Sequence, residues 1–227
     1  MSATEQDFAA KVVVVTGAAG ALGSAVVSEF TARGATCAGL DIVESANIIP
    51  CDLFAPESCA AAISQVIDQH GRIDVLANVA GGFAMGDQVH DTPVATWELM
   101  HKLNTGSVVN MAQAVVPQML KQNGGKIINV AARAGLRGAA TMGAYVASKS
   151  AVIRLTETMA DELKEQAINV NAVLPSLIDT PPNRDAMPDE DFSRWVSPAS
   201  IARVMAFLAS SAAADIHGAA VPIDGLS

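Results

Sequence analysis

The chain has 227 residues, of which 51% are hydrophobic and 16% charged, and its formal net charge is −9. This length suits one α/β domain with a sizeable core, and the composition excludes a chain that is disordered throughout. The lack of a basic run excludes a nucleic-acid surface, and no apolar stretch approaches the ~20 residues of a membrane span. The N-terminal segment lacks the basic flank of a secretory signal and the three cysteines show no CxxC pairing, so the sequence predicts a cytoplasmic protein.

The first predicted element is a buried strand over residues 11–16, a β-branched run. It leads into GAAGALG at residues 17–23, and then into an amphipathic helix that ends before Gly34. Glycines at such a turn let the backbone approach a pyrophosphate, and the helix N-terminus supplies N–H donors and positive potential. The residues of this candidate phosphate site are Gly17, Gly20, Ala21, Leu22 and Gly23.

A short second strand over residues 35–40 ends at Asp41, about twenty residues beyond the glycine turn. A carboxylate at that place can accept hydrogen bonds from both ribose hydroxyls of a dinucleotide, and it would repel a 2′-phosphate. No Arg or Lys lies between Ile42 and Ala55 to hold such a phosphate. The sequence therefore favours NAD over NADP.

Strand and helix continue to alternate along the rest of the chain. Only ten residues separate Asp41 from Asp52, so a third strand at 46–51 is reached by a loop instead of a full crossover helix. Further strands are predicted at 73–78, 126–132, 168–174 and 219–223, and helices at 56–70, 96–123, 144–166 and 198–210. With no break in composition, this pattern predicts a single α/β domain over residues 1–227: a doubly wound parallel sheet, the Rossmann fold, with helices on both faces.

Ligands of such sheets bind at the carboxyl ends of the strands. The glycine turn and several polar or small residues follow predicted strands, which places them around one cleft: Asp41, Asp52, Asn78, Ala132 and Pro175.

Tyr145 and Lys149 stand four residues apart in a predicted helix, where positions i and i+4 share one face. A free phenol has a pKa of about 10, too high for proton exchange near neutrality. A nearby ammonium favours the phenolate and lowers that pKa, so the pair could act as a general acid and base. The alternative is a packing aromatic beside a lysine whose amine extends to solvent.

In combination, these landmarks resemble the short-chain dehydrogenase/reductase family along nearly the whole chain. The resemblance implies a nicotinamide cofactor, hydride transfer between a secondary alcohol and a carbonyl, and a homotetramer or homodimer with helices 96–123 and 144–166 at a subunit interface. The matching positions are Thr16-Gly17…Gly23, Asp41, Asp52-Leu53, Asn78-Val79-Ala80-Gly81, Asn104, Tyr145…Lys149 and Pro175…Thr180.

By the same resemblance, Tyr145 gives a proton to the carbonyl or takes one from the alcohol, while Lys149 lowers its pKa and holds the nicotinamide ribose. Asn104 would anchor a water that links Lys149 to solvent. The implied cofactor contacts are Asp52 and Leu53 at the adenine, Asn78, Ala80 and Gly81 along the middle, and Pro175, Ile178 and Thr180 at the nicotinamide and pyrophosphate.

The chain departs from the family pattern at four positions: Ala21 for Gly, Val79 for Asn, Ser176 for Gly, and Ala132 for Ser. The last is the most serious, because that Ser donates a hydrogen bond to the reacting oxygen, and losing such a donor costs about 10²–10³ in rate.

Three explanations of the missing hydroxyl remain open. Thr141 or Ser176 replaces it. Alternatively, Tyr145 acts alone on a reactive substrate, for instance the C=N of a quinonoid dihydropterin; the dihydropteridine reductases resemble this chain in their short second crossover. In the third, the chain is a weakly active or non-catalytic NAD-binding or regulatory protein.

The substrate end is predicted to be mostly apolar, with Phe83, Ala132, Met142 and Leu177 as pocket candidates beside Met85. Arg133 and Arg137 are solvated loop charges or contacts for an anionic substrate, and Trp195 is a packing or a pocket residue. The four histidines share no metal-ligand spacing, so no metal site is predicted.

Overall fold

A computed structural model describes residues 6–43, 45 and 47–226 of the chain. Residues 1–5 of the N-terminal segment, Ala46 at the start of the predicted third strand, and residues 44 and 227 lie outside the described residues.

The centre of the molecule is a seven-stranded sheet in which every neighbouring pair is parallel. Its strands are β1 (Val12–Thr16), β2 (Thr36–Asp41), β3 (Ile48–Pro50), β4 (Val75–Asn78), β5 (Gly125–Val130), β6 (Ile168–Pro175) and β7 (Ala220–Ile223). They lie in the order β3-β2-β1-β4-β5-β6-β7, which reverses direction between β1 and β4. The predicted Rossmann-type α/β fold is therefore confirmed, and the reversal marks the place where such sheets bind ligands.

Helices cover both faces of the sheet, as the continuous burial of its central strands requires. The helices are α1 (Ala21–Ala32), α2 (Pro56–His70), α3 (Val94–Met100), α4 (Ser107–Lys121), α5 (Gly143–Leu163), α6 (Pro181–Ala186) and α7 (Pro198–Ala209). Alternate valines of β1 face opposite layers: Val13 and Val15 pack in the cluster that contains residues of α1 and α7, and Val12 and Val14 in the cluster with α2 and α4.

The largest differences from the predicted elements lie in three places. The helix predicted at 96–123 is divided into α3, a π-helical segment at His101–Gly106, and α4. The loop predicted at 175–197 contains α6 and a short 3₁₀ turn at Phe192–Arg194. The third strand is shorter than predicted, because only Ile48–Pro50 pair with β2.

Among the described residues, no helix is both long enough and apolar enough to cross a lipid bilayer.

Candidate active site

The carboxyl ends of the strands open into a cleft of about 1760 Å³. All but two of the predicted site residues line this cleft; the exceptions are Asn78 and Asn104. The predicted residues on its wall are Gly17, Gly20, Ala21, Leu22, Gly23, Asp41, Asp52, Leu53, Ala80, Gly81, Phe83, Ala132, Tyr145, Met142, Lys149, Pro175, Leu177, Ile178 and Thr180.

The glycine turn between β1 and α1 is packed too closely for side chains at two positions. A Cβ on Gly23 would lie 2.0 Å from the Gly17 carbonyl oxygen, and one on Gly17, whose φ is +66°, would lie 3.0 Å from Cα of Ala80. No side chain in the described part of the chain caps the N-terminus of α1, and its first turn contains no acidic residue. Unbonded N–H groups and the positive end of a helix therefore face the cleft, an arrangement that fits a pyrophosphate.

Asp41 is fixed at the rim between this turn and the end of β2. Its Oδ2 accepts a hydrogen bond from the Ala19 N–H at 3.0 Å, and its Oδ1 accepts one from the Ile42 N–H at 2.8 Å. A carboxylate has about four acceptor positions, so both oxygens can still accept from ribose hydroxyls. At the adenine end, Asp52 is held in the same way by the Phe54 N–H, 2.9 Å from its Oδ1.

Lys149 is 5% exposed, and its Nζ donates a hydrogen bond to the Val130 carbonyl at the end of β5, at 2.9 Å. Burial lowers the pKa of Lys149 to about 8, because the charged form loses its hydration.

Tyr145 lies one helical turn before Lys149, and the edge of the Phe83 ring packs against it with centroids 4.9 Å apart. Burial raises the pKa of Tyr145 to about 12, which is opposite to the lowering expected from the sequence. The raised pKa of Tyr145 and the lowered pKa of Lys149 have the same cause, because both side chains are shielded from water. The Lys149 ammonium is in addition bonded to a backbone carbonyl.

Asn104 lies in the π-helical segment and is 1% exposed. Its Oδ1 accepts from the Gly82 N–H at 2.9 Å, and its Nδ2 donates to the Gly82 carbonyl at 3.1 Å and to Ser148 Oγ at 3.0 Å. Asn104 thus clamps the backbone that follows β4. A Cβ on Gly81 would lie 2.8 Å from Asn104 Oδ1 and 3.0 Å from Lys149 Nζ, so the two side chains meet over a glycine.

Comparisons with known proteins identify the family. The family model described as short chain dehydrogenase matches residues 11–191. The chain belongs to the short-chain dehydrogenase family.

Known proteins are similar to this short-chain dehydrogenase over nearly its whole length. The 3-oxoacyl-(acyl-carrier-protein) reductase of Thermotoga maritima is 32% identical over 239 residues, which cover 95% of this chain and 96% of the relative. The structure of an NAD⁺-bound xylitol dehydrogenase matches with a TM-score of 0.89 at 28% identity, covering 96% of this chain and 99% of that one. A levodione reductase matches with a TM-score of 0.90 at 26% identity, covering 96% and 97%.

In this short-chain dehydrogenase, Asn78 lies behind the cleft wall instead of on it. Its side chain is 4% exposed, and Nδ2 donates to Oδ1 of Asn129 on β5 at 2.9 Å; Asn129 in turn donates to Thr156 Oγ1 on α5 at 2.9 Å. The resemblance implied that Asn78 lies along the middle of the cofactor without specifying its side chain, and the side chain does not line the cleft. Asn78 joins two strands and a helix below the site.

The substrate end holds no hydroxyl at the place of the missing serine. Ala131 and Ala132 are 3% and 5% exposed and line the cleft. Of the two candidate replacements, Thr141 donates to the Ala140 carbonyl at 2.7 Å and lines a separate recess of about 190 Å³. Ser176 does line the cleft, and its hydroxyl donates to the Asp224 carbonyl at 2.8 Å.

Other predicted residues divide between the cleft and the core. Arg133 and Arg137 line the cleft, and Arg133 forms an ion pair with Asp224. Trp195 is 7% exposed and packs against Phe192 away from the cleft wall. The described residues contain no group of three or more His, Cys, Asp or Glu side chains that could hold a metal ion.

Sequence reasoning missed several residues that shape the site. Thr16, treated only as part of the glycine landmark, accepts the N–H groups of Val79 and Ala80 on its Oγ1 at 3.0 and 3.1 Å and so joins the ends of β1 and β4. Cys51 lines the adenine end, and the neighbouring Cys59 side chain lowers the Cys51 pKa. The position of Thr16 at the end of a predicted strand was the one feature of the sequence that could have indicated its role in the site. The contacts of these residues themselves join distant parts of the chain, so the sequence does not reveal them.

Proposed function

We propose that this short-chain dehydrogenase is an NAD(H)-dependent oxidoreductase that interconverts a carbonyl and a secondary alcohol, with Tyr145 as the acid and base. One observation carries the proposal: a single cleft contains Tyr145 and Lys149 at one end, and the uncapped helix N-terminus and Asp41 at the other. The similar proteins are named as reductases and dehydrogenases, which supports the same class of reaction.

The cofactor would be held by the residues that surround the cleft. The N-terminus of α1 would bind the pyrophosphate, Asp41 the adenosine ribose, and Lys149 the nicotinamide ribose. When bound, NAD supplies the group that accepts a hydride from an alcohol or, in its reduced form, gives one to a carbonyl carbon. The fixed carboxylate of Asp41 supports NAD over NADP, because it would face the 2′-phosphate of NADP.

Tyr145 would move the proton. In reduction its hydroxyl donates a proton to the carbonyl oxygen as that atom gains negative charge, and in oxidation the phenolate takes the proton of the alcohol. A pKa of about 12 keeps the phenol neutral at physiological pH, which suits the proton donor of the reducing direction. Since Ala132 offers no hydroxyl, Tyr145 would polarise the oxygen alone, so a ketone with low reactivity would be reduced slowly. A reactive C=N substrate would need less help.

A second candidate is a weakly active or non-catalytic NAD-binding protein, or a regulatory subunit. It is favoured by the two buried alanines at positions 131 and 132 and by Thr141, whose hydroxyl is bonded to a neighbouring carbonyl.

The oligomeric state and the location belong to the same proposal. Association into a homotetramer, or a homodimer, is supported by exposed apolar side chains along α3 and α4, which are Val94, Leu99, Val109 and Leu120. The cytoplasmic location is proposed from the sequence alone.

The decisive experiment is a titration of the purified protein with NADH and NADPH, followed by assays of NADH oxidation with diketones, acyl ketones and quinonoid pterins. We expect NADH to bind at least tenfold more tightly than NADPH, and Asp41→Ser to remove that preference. Turnover that is lost in Tyr145→Phe, with NADH binding retained, would support the enzyme. Tight NADH binding with no turnover of any compound would favour the second candidate, and equal affinity for both cofactors would contradict the role of Asp41.

A further inference from the structure

Phe83 is an aromatic side chain that lines the cleft and is 56% exposed. The Phe83 ring packs against the Tyr145 ring in an edge-to-face arrangement, with the ring centroids 4.9 Å apart and the ring planes inclined at 77°. The remainder of the Phe83 ring faces the space in which a substrate of Tyr145 has to lie. Phe83 is thus more than half exposed beside the group that would transfer the proton, and an exposed aromatic surface of this kind gains most from a flat apolar ligand.

The position of Phe83 is set by the backbone before it. Gly82 is held at both its N–H and its carbonyl by Asn104, at 2.9 and 3.1 Å. A Cβ on Gly82 would lie 2.3 Å from Cδ2 of Leu103, so the chain passes against the π-helical segment without room to move toward it. Phe83 therefore extends from an anchored point.

The neighbouring wall offers few hydrogen-bond partners. Its other members are mostly apolar: Met85, Leu103, Ala132, Met142 and Leu177. Among the polar groups, Ser176 donates to the Asp224 carbonyl, Arg133 is paired with the Asp224 carboxylate, and Arg137 also lines the cleft, so polar partners are present but few. A substrate with several hydroxyl groups would leave some of them facing carbon, and burying a hydroxyl without a partner is unfavourable.

We propose that Phe83 is a specificity-determining residue, which selects carbonyl substrates that carry a flat, apolar ring next to the carbonyl over polyol-derived ketones. This inference rests on the proposed function, because it assumes that Tyr145 is the proton donor. It assigns this chain a different substrate class from that named for the xylitol dehydrogenase it resembles in structure.

The test compares acetophenone with dihydroxyacetone as substrates for NADH oxidation in wild type, Phe83→Ser and Phe207→Ser. Phe207 is the matched control because it is also an exposed phenylalanine, 46% exposed, but does not line the cleft. We expect wild type to prefer acetophenone at least tenfold in kcat/KM. Phe83→Ser should lower kcat/KM for acetophenone at least tenfold, mainly through KM, and leave dihydroxyacetone within about threefold, whereas Phe207→Ser should change both little. A wild-type preference for dihydroxyacetone, or an equal loss for both substrates in Phe83→Ser, would overturn the inference.

A binding measurement separates this inference from the proposed function. Acetophenone is titrated into Tyr145→Phe and into Tyr145→Phe/Phe83→Ser, with and without NADH, and followed by ligand-observed NMR. An at least tenfold weaker affinity in the double variant supports the role of Phe83 even if no substrate is turned over. Equal affinities refute it even if the protein proves to be an active dehydrogenase.

Discussion

Tyr145 is the only tyrosine in the chain, so its ionisation can be followed without interference from any other phenol. Burial beneath Phe83 raises its pKa to about 12. Because the folded protein holds this proton more tightly than an unfolded chain does, the phenol stays neutral through the physiological range. At the scale of the single residue, the site keeps Tyr145 in the protonated form that carbonyl reduction needs, and it makes the phenol a weaker acid and the phenolate a stronger base than in water.

The first prediction concerns this pKa. Ultraviolet titration of tyrosinate in the folded protein should have its midpoint near pH 12, against about 10 in denaturant. Phe83→Ser should move the folded midpoint toward 10, because water would then reach the hydroxyl. Because alcohol oxidation needs the phenolate, its rate should rise with pH. The rate of carbonyl reduction, which needs the neutral phenol, should not rise. A folded midpoint at or below 10 would contradict the burial of the phenol.

The second prediction concerns Ala132. Restoring a hydroxyl with Ala132→Ser should raise the rate of ketone reduction by about 10-fold to 10²-fold, because the reacting oxygen gains a second donor. Ala131→Ser is the control, since Ala131 is equally buried and also lines the cleft. If Ala132→Ser binds NADH normally and gains nothing, another group already supplies the missing hydrogen bond.

At the scale of the element, the glycine turn and α1 act as one unit. The third prediction is that Gly23→Ala lowers the free energy of unfolding by about 1–3 kcal/mol and abolishes NADH binding, because its Cβ would lie 2.0 Å from the Gly17 carbonyl oxygen. Gly20→Ala is the matched control: its Cβ would lie 3.4 Å from the same atom, so it should cost about 1 kcal/mol or less. Denaturant unfolding with a parallel NADH titration compares them; similar losses in both variants would contradict the packing argument.

The π-helical segment shows why some elements could not be predicted. Apolar spacing over residues 96–123 indicates one long helix, whereas the structure has a π-helical segment at His101–Gly106 within it. In this π-helical segment, Asn104 forms hydrogen bonds with Gly82 and Ser148, and these bonds join distant parts of the chain. By contrast, α2 was predicted to the residue, since Pro56 begins it and Gly71, with φ of +74°, ends it.

At the scale of the whole molecule, strand order explains why so much of the cleft could be predicted. The carboxyl ends of parallel strands lie at the same edge of the sheet, so residues that follow neighbouring strands come close together. Asp41, Ala80 and Pro175 all reach the cleft in this way. The last residue of β4, Asn78, instead turns its side chain into the sheet toward Asn129. Whether the side chain at the end of a strand reaches the cleft or turns into the sheet depends on which way it points in the alternation along the strand. Sequence spacing alone does not give that direction.

The fourth prediction concerns global stability. Burial lowers the Lys149 pKa from 10.5 to about 8, so between those pH values the unfolded chain binds more protons and stability rises with pH. Lys149→Met should raise the free energy of unfolding at pH 7 by about 2 kcal/mol, since it removes a buried charge but also a hydrogen bond to the Val130 carbonyl. It should also remove the rise between pH 8 and about 10. The control Lys121→Met, at the exposed end of α4, should retain that rise; a destabilised Lys149→Met would contradict the prediction.

The close packing of Gly17 and Gly23 also bears on redesign of cofactor preference. A Cβ at Gly17 or Gly23 would lie 3.0 Å or less from backbone atoms, so variants at these two positions should lose stability. The rim is different, because Ile42 is 77% exposed beside Asp41 and both line the cleft. Engineering toward a phosphorylated dinucleotide should therefore begin with a small neutral residue at 41 and an arginine at 42.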